Sequence, residues 1–184
     1  AVDEADGAFE ADERAHSVDR KETLCVSSQV GCAVACPFCA SGAYGLTRAV
    51  TEKELIGQVR AVEDAGHVVR RVTISGIGEP LHNAENVEAF IRWCRSRSLG
   101  PSLTTSGGSV RHLAHFLTAV PHDGLTISVH AGTEETRARL VPKGPTLSAL
   151  HGAISAALPQ MSNKRRKKTA LAYLLIGDEN DCDE

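Results

Sequence analysis

Aromatic residues are scarce in this 184-residue chain, at 4%, with a single Trp and a single Met. A core built around large rings is therefore excluded, and Ala, Val, Leu and Ile must fill it. No apolar run approaches the roughly 20 residues that a membrane helix needs. No charged-then-apolar leader opens the chain. Neither sign of charge dominates: 20 Lys and Arg stand against 23 Asp and Glu, for a net charge of −3. No global basic field points to a nucleic-acid partner. There is no low-complexity stretch and no internal repeat beyond alternating strands and helices. The length suits one domain rather than two. The expected setting is cytoplasmic and reducing, without a membrane, and the expected state is a monomer.

What is present is cysteine, unevenly placed. Of the six, Cys25, Cys32, Cys36 and Cys39 crowd together, while Cys94 and Cys182 stand alone. In a reducing compartment such a cluster points to metal rather than to disulfides. Cys32, Cys36 and Cys39 form a C-x3-C-x2-C loop. Thiolates are soft ligands that suit iron–sulfur clusters or zinc. Three of them can hold three irons of a cubane and leave the fourth iron open for chemistry. By spacing alone, a structural zinc with Cys25 as fourth ligand is the alternative.

Along the chain, residues 1–22 read as a flexible acidic lead-in, and 23–184 as one domain. The spacing predicts strands at 23–27, 68–75, 102–105, 125–129 and 169–176. Helices are predicted at 51–65, 83–98, 110–119, 134–140 and 146–158. The first of these opens on a capping box, Thr51 with Glu54, and stops near Gly66. Asn83 is expected to cap the second, whose Val87, Phe90, Ile91 and Cys94 fall at helical spacing. Residues 29–48 read as a loop. Strand–helix alternation of this kind means a parallel sheet with right-handed crossovers. The unusual residues all follow strands, which favours a curved, barrel-like sheet of about five strands with outer helices over a flat, doubly wound one. The strands read as apolar throughout.

The cysteine loop and its Gly-rich continuation carry the radical-SAM signature. Thr23-Leu24-Cys25-Val26-Ser27-Ser28-Gln29-Val30-Gly31-Cys32 resembles, more narrowly, the RlmN/Cfr family of radical-SAM RNA methyltransferases. So do Glu54-Leu55-Ile56-Gly57-Gln58-Val59, Gly76-Ile77-Gly78-Glu79-Pro80-Leu81, Thr105-Ser106-Gly107, Ile127-Ser128-Val129-His130-Ala131 and Arg139-Leu140-Val141-Pro142. These blocks run in family order from Thr23 to about Asp178. The resemblance implies a partial (β/α) barrel of the radical-SAM type. It implies a [4Fe–4S] cluster on Cys32, Cys36 and Cys39, and S-adenosylmethionine (SAM) chelating the open iron. Gly78, Glu79, Thr104, Ser128, Val129 and His130 match SAM-contacting positions; at Thr104 relatives commonly have Ser, so a hydroxyl is retained. Cys25 matches a catalytic cysteine that helps release the product. The implied reaction is methylation of adenine C2 in 23S ribosomal RNA and in tRNA, fed by a flavodoxin- or ferredoxin-type reductant.

The match has edges. Family members continue well past Asp178 and carry their methyl-bearing cysteine there. Cys182 lies among Glu179, Asp181, Asp183 and Glu184, which disfavour a thiolate, and is not assigned that role. The family's upstream RNA-binding domain has no counterpart, and Glu10, Asp12 and Glu13 do not fit the pattern around its upstream carboxylate base. The chain therefore reads as shortened at both ends. The basic run 163–168 reads as a solvated loop first, and second as an RNA contact extended by Arg137, Arg139 and Lys143. Two rival functions stand beside the leading one: a radical-SAM enzyme acting on a peptide or small molecule, and a non-enzymatic metal-binding module.

Overall fold

The computed structural model describes residues 22–181. The lead-in expected over 1–22 lies outside these residues, apart from Glu22, which opens the first strand; Cys182 lies outside them too. The elements are β1 (Glu22–Val26), β2 (Gln29–Gly31), β3 (Leu46–Ala49), α1 (Glu52–Asp64), β4 (Val69–Ile74), α2 (Ala84–Ser96) and β5 (Gly100–Thr105). There follow α3 (Val110–Thr118), β6 (Gly124–Ser128), α4 (Glu134–Leu140), α5 (Leu147–Ala157), α6 (Asn163–Arg166) and β7 (Thr169–Ala172).

Five strands form one parallel sheet in the order β1-β4-β5-β6-β7. The order never reverses, so the sheet has no switch point. Right-handed crossovers that always advance in one direction leave their helices on one face. That face is the core: Val26, Val72, Ile74, Leu103, Leu125 and Ile127 pack against Leu55 and Val59 of α1, Val87, Phe90 and Ile91 of α2, and Leu113, Phe116 and Leu117 of α3. Each such side chain contributes roughly 1.5–3 kcal/mol by leaving water. The α2 periodicity emerges as expected, with Val87, Phe90, Ile91 and Cys94 all buried.

The opposite face corrects the expectation of strands apolar throughout. Alternation along parallel strands places Cys25, Thr73, Ser102, Thr104, Thr126 and Ser128 there, in register across the sheet. Barrel interiors are commonly filled by bulky branched residues. Small hydroxyls leave room instead.

Helix α1 has the capping box expected of it: Thr51 and Glu54 satisfy each other's backbone N–H groups. Asn83 does not cap α2 with its side chain. Its amide donates to the carbonyls of Ser28 (2.9 Å) and Val50 (2.6 Å), and its Oδ1 accepts from Asn86. It ties the two ends of the cysteine segment to α2. That segment is not an open loop either. Strands β2 and β3 pair antiparallel and close its base. Gly31 makes this possible. Its φ is +78°, and a Cβ there would lie 2.0 Å from the carbonyl oxygen of Gly45. Gly31→Ala is expected to cost the fold about 2–3 kcal/mol, from backbone strain plus overpacking. Urea unfolding would check this, and an unchanged midpoint would count against the close approach.

The last strand ends at Ala172, not at residue 176. The chain then folds back, held by the buried Asn180, which accepts from the N–H of Ile176 and donates to the carbonyls of His130 and Leu174. The basic run is not a free loop. Residues 163–166 form a helical turn, and Arg165 donates to the carbonyls of Phe116, Leu117 and Val120. Lys168 pairs with Asp123, and Arg166 donates to Leu158. The run precedes β7 and so lies at the N-terminal ends of the strands. Arg137, Arg139 and Lys143 follow β6 at the other end, so the two sets cannot form one surface.

Beside this run the imidazole of His122 is buried, with Nε2 on the carbonyl of Phe116 and Nδ1 without a hydrogen-bond partner among the described residues. Burial, with Arg165 next in weight, pushes its pKa down to about 4. The folded state therefore holds a neutral imidazole, while the unfolded chain takes up a proton near pH 6.5. Stability present above pH 6.5 is lost as pH falls towards 4, by about 3 kcal/mol over the window. Urea titrations between pH 7 and 4.5 are expected to fall less steeply for His122→Gln than for the parent. Equal slopes would refute the assignment.

Candidate active site

One cleft opens at the C-terminal ends of the strands, where barrel enzymes place their chemistry. It is lined by Cys32, Val34, Cys36, Phe38 and Cys39 from the cysteine loop, and by Ser75, Gly76, Gly78 and Glu79 after β4. Thr104, Thr105 and Ser106 come from the end of β5, Ser128 and His130 from the end of β6, and Val141 from beyond α4.

The cysteine loop is anchored before it reaches the cleft. Ser27 donates its N–H to Oε1 of Gln58 (2.8 Å) and accepts from Nε2 (3.0 Å). The N–H groups of Ser28 and Gln29 both reach the carbonyl of Ile77, and Oε1 of Gln29 accepts from the N–H of Glu79. The loops after β1 and β4 are thus fastened together. Cys32 and Cys36 pack against a small apolar group made by Val34, Leu140 and Val141. Burial pushes the Cys32 thiol up and the Cys36 thiol up to about 11, and the neighbouring cysteines push the same way. Such thiols are poor nucleophiles at neutral pH; only a bound cation would hold them as thiolates.

Among the described residues, no three His, Cys, Asp or Glu side chains gather tightly enough to grip a single ion. A zinc needs every sulfur about 2.3 Å from one point. A cubane offers each thiolate its own iron, so its ligands stand further apart. Cys25, the fourth zinc ligand considered, is not among the cleft-lining residues; its Sγ meets the hydroxyl of Ser75 at 3.4 Å. Three thiols on one cleft-lining loop, with Cys25 outside the lining, fit a three-thiolate cluster.

Glu79 is 3% exposed, yet its carboxylate is saturated. Oε1 accepts from the N–H of Leu81 and the hydroxyl of Thr105. Oε2 accepts from the N–H and hydroxyl of Ser106, both at 2.7 Å. A carboxylate has about four acceptor sites, and all are used. Glu79 is a clasp between the loops after β4 and β5 as well as a negative charge at the cleft. Gly78 beside it has φ +110°, and a Cβ would lie 2.6 Å from that of Gln29.

His130 adopts φ +57°. Its Nδ1 accepts from the N–H of Leu174 at 2.9 Å, so the neutral ring carries its proton on Nε2. Phe38 meets the ring edge-on at 5.4 Å. Burial, then Arg137, lowers the pKa of His130 and favours this neutral form. Of the residues singled out from the sequence, Gly78, Glu79, Thr104, Ser128 and His130 join the three cysteines in the cleft. The Val129 side chain packs on the core instead. Phe38 and Ser75 carry no sequence signal of their own and are found only by folding, while Ser106 belonged to a block of the family resemblance with no role attached. Asn83 was legible only as a cap residue, and Asn180 had no sequence reading at all.

The sequence model described as the radical SAM superfamily matches residues 26–184. The chain belongs to the radical SAM superfamily. Membership implies a [4Fe–4S] cluster and SAM. Among curated members, the probable dual-specificity RNA methyltransferase RlmN of Akkermansia muciniphila is 38% identical over 170 residues, covering 86% of this chain and 45% of the relative. RlmN 1 of Myxococcus xanthus is 33% identical over 176 residues, covering 89% and 48%. A radical SAM methyltransferase from Sphaerobacter thermophilus superposes with a TM-score of 0.74 at 31% identity, over 88% of this chain and 49% of that one. The chain thus spans about half the length of the radical SAM relatives it matches. Among its described residues no helix is long and apolar enough to cross a membrane.

Proposed function

We propose that the chain is the radical-SAM core, from residue 23 onward, of an enzyme that methylates adenine C2 in ribosomal RNA and tRNA. One observation carries the reading: three thiols on one pinned loop face a row of small hydroxyls at the mouth of a parallel half-barrel. In this reading Cys32, Cys36 and Cys39 hold the cluster by three irons. When bound, the cluster supplies the electron that cleaves SAM.

The chain's own residues would place and shield that SAM. Gly78 lets the backbone come close. Glu79, its oxygens already engaged, supplies negative field to a cationic amino group rather than a free acceptor. Thr104 and Ser128 offer hydroxyls, His130 offers its Nε2–H, and Val129 can offer only backbone. Cys25 is the thiol we assign to product release: it is exposed, on the open face of the sheet, with Ser75 as its recorded neighbour. The names of the relatives, dual-specificity RNA methyltransferases, support RNA as substrate. The free cysteines suit a reducing cytoplasm, with a one-electron protein reductant and a monomeric enzyme.

The test is anaerobic reconstitution of the chain with iron and sulfide, followed by SAM and a strong reductant. Formation of 5′-deoxyadenosine is expected. The full-length gene product should then convert adenine to 2-methyladenine in a ribosomal RNA fragment. Intact SAM after cluster assembly would overturn the radical reading; cleavage by the full-length product without RNA methylation would favour a different substrate.

A further inference from the structure

Arg137 is the buried charge that this reading leaves unused. It is 1% exposed. Its guanidinium donates to the carbonyls of Pro145 (3.1 Å), Ser128 (2.9 Å), Val129 (2.7 Å) and Ser106 (2.6 Å). Among the described residues no carboxylate forms an ion pair with it. Burying a cation without a counter-ion costs several kcal/mol, which carbonyl dipoles offset only in part. Joining loops needs donors but not a full charge, so the charge itself asks for an anion nearby.

The fold supplies one. Arg137 lies on α4, and Leu140 at the end of that helix and Val141 just beyond it pack directly on Val34, Cys32 and Cys36. The carbonyls of Ser106 and Ser128, to which the guanidinium donates, belong to residues that line the same cleft as Cys32, Cys36 and Cys39, so its charge stands directly behind the wall facing the thiols. Glu79 and Glu134 are the other anions it feels. We infer that Arg137 is the counter-charge of the thiolate loop and tunes the ease with which the cluster takes up its electron. The inference rests on the three-cysteine assignment above. One electron passes from an external one-electron reductant to the cluster, with no bond made and no proton taken up. With three thiolates the site goes from one net negative charge to two. A fixed cation beside it favours the more negative state, so Arg137 raises the reduction potential.

Arg137→Gln and Arg137→Lys test this through the potential, which a purely structural role would not move in a charge-dependent way. Iron and sulfide content is measured first, then the midpoint by redox titration followed by electron paramagnetic resonance. Arg137→Gln is expected to assemble the cluster and to lower the reduced-to-oxidised ratio at fixed potential about ten-fold, equivalent to about 59 mV for one electron. Arg137→Lys, which keeps the charge, should stay within about three-fold of the parent. Equal shifts in the two variants, or none in either, would overturn the inference. Should Arg137→Gln fail to fold, Glu134→Gln at the exposed start of α4 decides: removing that anion should raise the reduced fraction, and a fall or no change refutes the tuning role. A parent chain that binds no iron and sulfide would sink the cysteine assignment itself, which separates the two failures.

Discussion

Replacing Cys36 with alanine is expected to yield a folded protein that retains neither iron nor labile sulfide and no longer cleaves SAM. The loop does not depend on its thiol for shape. Its base is closed by the β2–β3 pairing and fastened by Gln58 and Asn83. Cys36 without metal is a protonated, half-buried side chain beside Val34 and Val141. Alanine keeps part of that packing. What is lost is one of three ligands. Outer-sphere partners of metal ligands are commonly worth about 10–100-fold in affinity or activity, and loss of a ligand itself should exceed that. Cys25→Ala is the informative companion: iron, sulfide and SAM cleavage should all survive it. Loss of metal from the Cys25 variant would revive the four-cysteine site, as would zinc without sulfide in the parent. Retention of full cleavage by Cys36→Ala would end the three-ligand reading.

Glu79→Ala should destabilise the apoprotein by about 3–5 kcal/mol, because it leaves buried donors on Leu81, Thr105 and Ser106 without acceptors. The effect belongs to the fold before any cofactor binds, so it is read by urea unfolding of metal-free protein. Glu79→Gln should recover only part of it. An amide turns one acceptor oxygen into a donor, and all four groups facing Glu79 are donors. If the alanine variant unfolds at the parent's midpoint, Glu79 is no clasp. Its only role is then as a charge at the cleft.

Some features were legible because they are local. The capping box at Thr51 and Glu54, the helical spacing of Val87, Phe90, Ile91 and Cys94, and the strand–helix alternation each follow from residues close in the chain. Others were misread for one physical reason. A polar side chain can satisfy its own neighbourhood or reach a distant backbone, and the chain order does not say which. Asn83 looked like a cap and instead clamps residues 33 and 55 positions away. Arg165 and Lys168 looked solvated and instead hold carbonyls and a carboxylate more than 40 positions back. Arg137 looked like a surface cation and is buried.

The amino-acid order alone placed three thiols at C-x3-C-x2-C spacing on one short loop, which points to metal but by itself leaves iron–sulfur and zinc both open. It also determined the parallel architecture, because strands separated by helices must cross over in one hand. Only the tertiary structure decided what stands opposite those thiols. The hydroxyls of Thr104 and Ser128, the Nε2–H of His130 and the charge of Arg137 come from strand ends and a helix far apart in the chain. The unreversed strand order gathers them at one end of one face.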